Sequence, residues 1–206
     1  MQRILAVTLV VLCLGAPPAL SQTQSKSWEF SLATNVGSTS SSVTYTSGGH
    51  TETNESDAQS YLGLDVRAGY FLVDGFSLEP EIYILAVDGM RPMFNIGANA
   101  AYTFTIPESA VKPFVTVGYG IGNSNPMMQR LYQRSSEAMD VPVLRAGGGL
   151  KVFISKQVAL KVEYRYERYT QEATETTYWG YSYSYKAVSN YHNVLIGFSV
   201  FLPGGE

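Results

Sequence analysis

The sequence predicts an all-β protein, an eight-stranded antiparallel up-and-down transmembrane β-barrel. Three observations carry this. Apolar and polar residues alternate with a period of two over eight segments, the signature of strands with two unlike faces. Beyond the N-terminus no uninterrupted apolar run is long enough for a membrane helix, so any crossing must be made by strands. The connections between segments are unequal in a regular way, which sorts tight turns to one end and longer loops to the other.

The N-terminus, MQRILAVTLVVLCLGAPPALSQ, reads as a secretory signal peptide over residues 1–21. Arg3 is followed by an apolar run from Ile4 to Ala16, the prolines Pro17 and Pro18, and small residues before an expected cleavage near Ser21. Residues 22–206 then form one domain. Cys13, the only cysteine, leaves with the signal. It is preceded by Leu12 where a lipoprotein signal needs a small residue, so neither lipidation nor a disulfide framework is expected. The formal charge of −3 becomes one unit more negative without Arg3, and no basic block remains, which argues against nucleic acid as a partner.

The segments follow in order. WEFSLATNVG puts Trp28, Phe30, Leu32 and Val36 against Glu29, Ser31, Ala33 and Asn35. YLGLDVRAGYF puts Leu62, Leu64, Val66, Ala68 and Tyr70 against Gly63, Asp65, Arg67 and Gly69. FSLEPEIYILA puts Phe76, Leu78, Ile82 and Ile84 against Ser77, Glu79, Glu81 and Tyr83. MFNIGANAAYTF puts Phe94, Ile96, Ala98, Ala100, Tyr102 and Phe104 against Asn95, Gly97, Asn99, Ala101 and Thr103. PFVTVGYGIG sets Val115, Val117, Tyr119 and Ile121 against Phe114, Thr116, Gly118 and Gly120. VLRAGGGLKVF sets Leu144, Ala146, Leu150 and Val152 against Arg145, Gly147, Gly149 and Lys151. LKVEYRYERY sets Leu160, Val162, Tyr164 and Tyr166 against Lys161, Glu163, Arg165 and Glu167. YHNVLIGFSVFL ends the series, with Val194, Ile196, Phe198, Val200 and Leu202 opposite Asn193, Leu195, Gly197 and Ser199.

Three connections are long and polar (38–59, 123–141 and 170–189) and one, 87–92, is short. Those near 72–75, 105–111 and 154–157 are tight, and all three fall at one end of an up-and-down barrel. Tight periplasmic turns, larger outer loops and an even strand number are the plan of an outer-membrane barrel.

The polar face decides which way the barrel is turned. It carries the acids Glu29, Asp65, Glu79, Glu81, Glu163 and Glu167 and the bases Arg67, Arg145, Lys151, Lys161 and Arg165, nearly in balance among small residues. Facing lipid, each Arg or Lys costs roughly 2–4 kcal/mol at mid-bilayer. Five such costs rival the whole stability of a domain, about 5–15 kcal/mol. Facing inward, the charges form a ladder that fills a small lumen. The opposite orientation, a soluble lipocalin-type barrel, would expose many Gly, Ala and Ser as its solvent face. It would also bury Trp28, Tyr70, Phe76, Tyr102, Phe104, Tyr119 and Tyr166, which instead sit near strand ends as an interfacial girdle does.

The chain resembles the small outer-membrane β-barrel family, the OmpA/OmpX-like and opacity-protein-like barrels. The resemblance rests on GYFLVDGFSLEPEI (69–82), KPFVTVGYGIG (112–122), GGGLKVFISKQVALKVEYRY (147–166) and the terminal IGFSVFL (196–202). It implies residence in the cell outer membrane among lipid and lipopolysaccharide, and recognition of the last strand by the barrel-assembly machinery. Gly197, Val200 and Leu202 match that terminal pattern, while Pro203-Gly204-Gly205-Glu206 extends beyond it. The expected role is structural and interactive, adhesion-like, in a monomer with a filled lumen and no cofactor or enzymatic activity. The alternative is narrow passive transport of small or hydrophobic solutes.

A lipid-modifying enzyme would need a nucleophile beside a histidine base. Only His50 and His192 exist, one in a polar stretch and one on the lipid-side register near the outer rim. His50, Glu52, Glu55 and Asp57 match no defined cation loop. GYGIG (118–122) lacks the helix context of a nucleotide loop. Two outer segments are candidates for contact with an extracellular ligand, host surface or lipopolysaccharide. QRLYQR places Arg130 and Arg134 at helical spacing, and YWGYSYSYK gathers Tyr178, Trp179, Tyr181, Tyr183 and Tyr185. The second is also expected to extend the last two strands beyond the membrane as a hairpin.

Overall fold

The computed structural model describes residues 23–86, 92–123, 141–176 and 182–203. Eight strands run in chain order: β1 (Trp28–Ser47), β2 (His50–Val73), β3 (Phe76–Ala86), β4 (Met93–Thr103), β5 (Val111–Gly122), β6 (Val141–Phe153), β7 (Val158–Thr176) and β8 (Ser182–Leu202). Each pairs antiparallel with its neighbours in sequence, and β1 pairs with β8 to close the barrel. Closure removes the free edges that an open sheet of such sequences would present.

The registers fix the tilt. From Lys112 on β5 the cross-strand partners run through Lys151, Lys161, Gly197, Ala33, Asp65, Tyr83 and Asn95, and return to β5 at Gly122. The circuit arrives ten residues further along the strand it left. That stagger requires strands inclined at about 35–45° to the barrel axis. The β2–β3 ladder pairs Arg67 with Glu81 and then Tyr70 with Leu78, and the gap falls at Pro80, which has no N–H to donate.

The alternation read from the sequence sets the two faces of the wall. Leu32, Leu64, Ile82, Ile96, Val117, Leu144, Val162 and Ile196 are on the outside, while Glu29, Asp65, Glu81, Arg145, Lys161 and Arg165 are buried within. Trp28 stacks near Phe30 and Tyr70, with ring centroids 6.1 and 4.9 Å away, and Tyr102 lies 5.0 Å from Phe104, forming an aromatic belt at the tight-turn end.

Strand lengths divide the barrel in two. β3 to β6 contain 11, 11, 12 and 13 residues, about what a tilted strand needs to cross a bilayer. β1, β2, β7 and β8 contain 20, 24, 19 and 21. Their outer halves continue as a four-stranded collar in the order β2-β1-β8-β7.

This corrects two expectations. Residues 38–59 are not a long loop: β1 and β2 run through them, with a register shift between Thr39 and Ser41, and the turn is Gly48-Gly49. Both glycines have positive φ, 57° and 80°, as a two-residue hairpin turn requires. Likewise β7 continues to Thr176 and β8 starts at Ser182, so most of 170–189 is strand, as the hairpin alternative anticipated. Ser and Thr on both faces hide the alternation, yet Val43 and Ala187 on the inner side are fully buried.

Candidate functional site

The lumen is stacked in three layers. At the tight-turn end, Phe71, Phe153, Phe201 and Ala159 form an apolar cluster with almost no exposure. The Phe153 and Phe201 rings lie 5.0 Å apart. Lys151 Nζ sits among Phe71, Phe114 and Phe201, 5.2 to 5.8 Å from the ring centroids, and donates to Glu29 Oε2 at 2.5 Å and Thr103 Oγ1 at 3.3 Å. An ammonium enclosed by aromatic faces and bonded to a carboxylate loses little from burial.

The middle layer is an ion-pair network. Arg67 reaches Asp65 at 2.8 Å, Glu163 at 2.9 Å, Glu81 at 3.1 Å and Glu79 at 3.5 Å. Arg165 reaches Asp65 and Glu163 at 2.9 Å, Glu81 at 3.2 Å and Glu167 at 3.4 Å. Arg145 contacts Glu167 at 3.1 Å and Glu81 at 3.4 Å, and hydrogen-bonds Asn95. Lys161 is more loosely held, 3.6 Å from Glu163 and 3.9 Å from Glu79. Neutral donors occupy remaining oxygens: Asn99 Nδ2 on Glu81 at 2.7 Å, Ser77 Oγ on Glu79 at 2.9 Å, and Asn193 Nδ2 on Glu167 at 3.2 Å. Buried charges need such pairing, because an unpaired one carries the full cost of desolvation.

Above it, Tyr61, Tyr83, Leu85, Met93, Val141, Val143, Tyr169 and Tyr191 close the outer end as one buried cluster. Three of the tyrosine hydroxyls are tied to the polar layer: Tyr61 OH donates to Asn193 Oδ1 at 2.5 Å, Asn35 Nδ2 donates to Tyr83 OH at 2.8 Å, and Asn95 Nδ2 donates to Tyr169 OH at 2.8 Å.

The eleven charged residues singled out from the sequence all lie inside the wall, each at most 4% exposed. A twelfth was missed. Lys112, the second residue of β5, faces inward and is 1% exposed, so the lumen holds six acids and six bases among the described residues. The expected strand began at Pro113. Carrying the alternation back two residues from Phe114, across the proline, was the available signal.

The histidines are apart. His50 is exposed at the start of β2, beside the Gly48-Gly49 turn. His192 lies on the outer face of β8, its Nδ1 2.7 Å from Tyr164 OH and its ring 5.4 Å from that of Tyr166, which itself donates to Asn190 at 2.6 Å. This is a polar aromatic belt at the outer rim. His50 and Glu52 share one face of β2 and Glu55 takes the other, and no metal-holding group occurs among the described residues. Gly118 and Gly120 lie within β5, where Cβ atoms would meet Asn99 and the Ile96 carbonyl. Arg130, Arg134, Tyr178, Trp179 and Tyr181 lie outside the described residues. Tyr183 is within β8 opposite Ser47 and Glu175, and Tyr185 pairs with Tyr45 across the β1–β8 ladder, packing beside Val43 and Ala187.

A closed wall with a lipid-matched exterior and a charge-filled interior defines an outer-membrane β-barrel. The chain belongs to the outer membrane protein beta-barrel domain family, whose model matches residues 6–199. It is similar in fold to the outer membrane protein OprG from Pseudomonas aeruginosa, with 14% identity and a TM-score of 0.57 over 88% of this chain and 98% of that one. It is also similar to Neisserial surface protein A (NspA), with 15% identity and a TM-score of 0.50 over 82% and 97%. Comparison with curated proteins gives no match.

Proposed function

We propose that this protein is a closed structural barrel of the outer membrane that presents its collar to an extracellular ligand or host surface. The observation that carries the reading is the length of β1, β2, β7 and β8, which run to 19–24 residues where β3 to β6 cross with 11–13. Extra strand that buries little in the membrane is costly to order unless what it displays is used.

The collar's outer face is polar and regular. Thr44 and Thr53 hydroxyls are 3.0 Å apart, Thr46 and Thr51 3.3 Å, and Lys186 pairs with Glu172 at 2.6 Å. Thr44, Thr46, Glu172, Thr174, Ser184, Tyr185 and Lys186 line an open groove of about 460 Å³. Hydroxyls and a charge pair on a stiff sheet suit a polar partner such as a glycan or an extended peptide. Lower on the same wall, exposed Arg168 beside the Tyr164, Tyr166 and His192 belt supports a contact with lipopolysaccharide headgroups. The last strand is the segment the assembly machinery would engage.

Transport is less well supported, because aromatic clusters cap an ion-paired lumen at both ends. The test is adhesion: cells displaying the full barrel are compared with cells displaying a collar-shortened barrel for retention on host-cell or glycan-coated surfaces. Equal retention by both would remove the collar from the function.

A further inference from the structure

We infer that the tight-turn end of the lumen is a binding site for one small monovalent anion, of the halide type, held by Lys112. The registers make Lys112, Lys151 and Lys161 successive cross-strand partners on β5, β6 and β7, all facing inward. Like charges directly opposite one another repel, more so away from water. Two of the three are answered. Lys151 has Glu29 at 2.5 Å, and Lys161 has Glu163 and Glu79. Lys112 Nζ is buried, lies 5.0 Å from the Phe153 ring centroid, and has neither a hydrogen-bond acceptor nor a carboxylate among the described residues.

The imbalance is local. Six acids and six bases cancel over the whole lumen, but five of the acids gather around Arg67, Arg145, Lys161 and Arg165. The tight-turn layer is left with Lys112 and Lys151 against Glu29 alone. One anion of unit charge beside Lys112 restores neutrality there. The walls select its kind. Around Lys112 the described wall is aromatic ring and a second ammonium, Lys151, apolar surroundings that favour a weakly hydrated ion over a strongly hydrated one. The buried guanidiniums that phosphate would use, Arg67, Arg145 and Arg165, are committed to carboxylates in the middle layer. Glu29 already belongs to Lys151, Ser31 and Ser199.

The experiment uses the barrel refolded in a non-ionic detergent. Thermal unfolding is followed by circular dichroism at constant ionic strength while sulfate is exchanged for chloride or bromide, and chloride binding is read directly from ³⁵Cl line broadening. We expect the midpoint to rise with halide by a constant increment per tenfold concentration above Kd, as ligand linkage requires. Folded protein should broaden the ³⁵Cl line. Lys112→Met should abolish both effects, and Lys112→Arg should keep them. If Lys112→Met does not fold, the wild-type line width still decides. Three outcomes would overturn the assignment: no excess broadening with a midpoint indifferent to the anion, which leaves water as the partner of Lys112; stabilisation by phosphate alone; or halide binding unchanged in Lys112→Met.

Discussion

Arg165 contacts the carboxylates of Asp65, Glu81, Glu163 and Glu167 from the middle of the lumen. Replacing it with Met fills similar space but leaves four buried carboxylates with only Arg67, Arg145 and Lys161 to share. Loss of one partner in a buried network costs about 3–5 kcal/mol. Arg165→Met should lower the urea midpoint of the refolded barrel accordingly, and an unchanged midpoint would show that the network is replaceable by packing alone. Glycine matters for a different reason at Gly97, where a Cβ would sit 2.5 Å from the Tyr119 carbonyl and 2.6 Å from Arg145 Nη1. The guanidinium can swing away but the backbone cannot, so Gly97→Ala should cost roughly 1–3 kcal/mol of overpacking in the same titration.

The β1–β2 hairpin is the element whose removal best separates folding from display. Replacing residues 40–58 by Asn-Gly joins the paired residues Thr39 and Gln59 through a two-residue turn of the favoured type. The membrane-crossing registers are untouched. The main loss is Val43, fully buried against Tyr185 and Ala187, worth about 2 kcal/mol by its apolar area. The variant should still resist denaturing detergent until heated, with a modestly lower transition, while surface binding falls. Failure to give a heat-dependent gel shift would mean that the collar is needed to close the barrel. Within the same hairpin, Gly48→Val should impair folding more than Gly48→Asn, because a β-branched side chain tolerates the observed φ of 57° poorly.

For the whole molecule the expected outcome is electrical silence. Phe71, Phe153 and Phe201 below, ion pairs in the middle and the tyrosine-rich cluster above leave side chains across the lumen at every level. In planar bilayers the refolded barrel should give no steady open channel. A stable conductance step would require one of these layers to rearrange and would put transport, the alternative reading, ahead of display.

The fold was legible because every membrane-crossing strand is forced to alternate, with lipid on one side and packed charge on the other. The placement of Glu29 or Arg165 follows from the residues beside it in the chain. What the alternation could not give was the collar, since Ser and Thr suit either face and the pattern from Ser38 to Ser60 carries little contrast. Nor could it reach Lys112, concealed behind Pro113 at a strand end. Sequence by itself determined the strand number, the orientation of the two faces and the membrane, all of them local consequences of a two-residue period. Only the tertiary structure decided which acid answers which base, and that Lys112 has none beside it among the described residues. Ion pairing depends on the stagger with which the barrel closes, and the stagger joins residues as distant as Lys151 and Glu29.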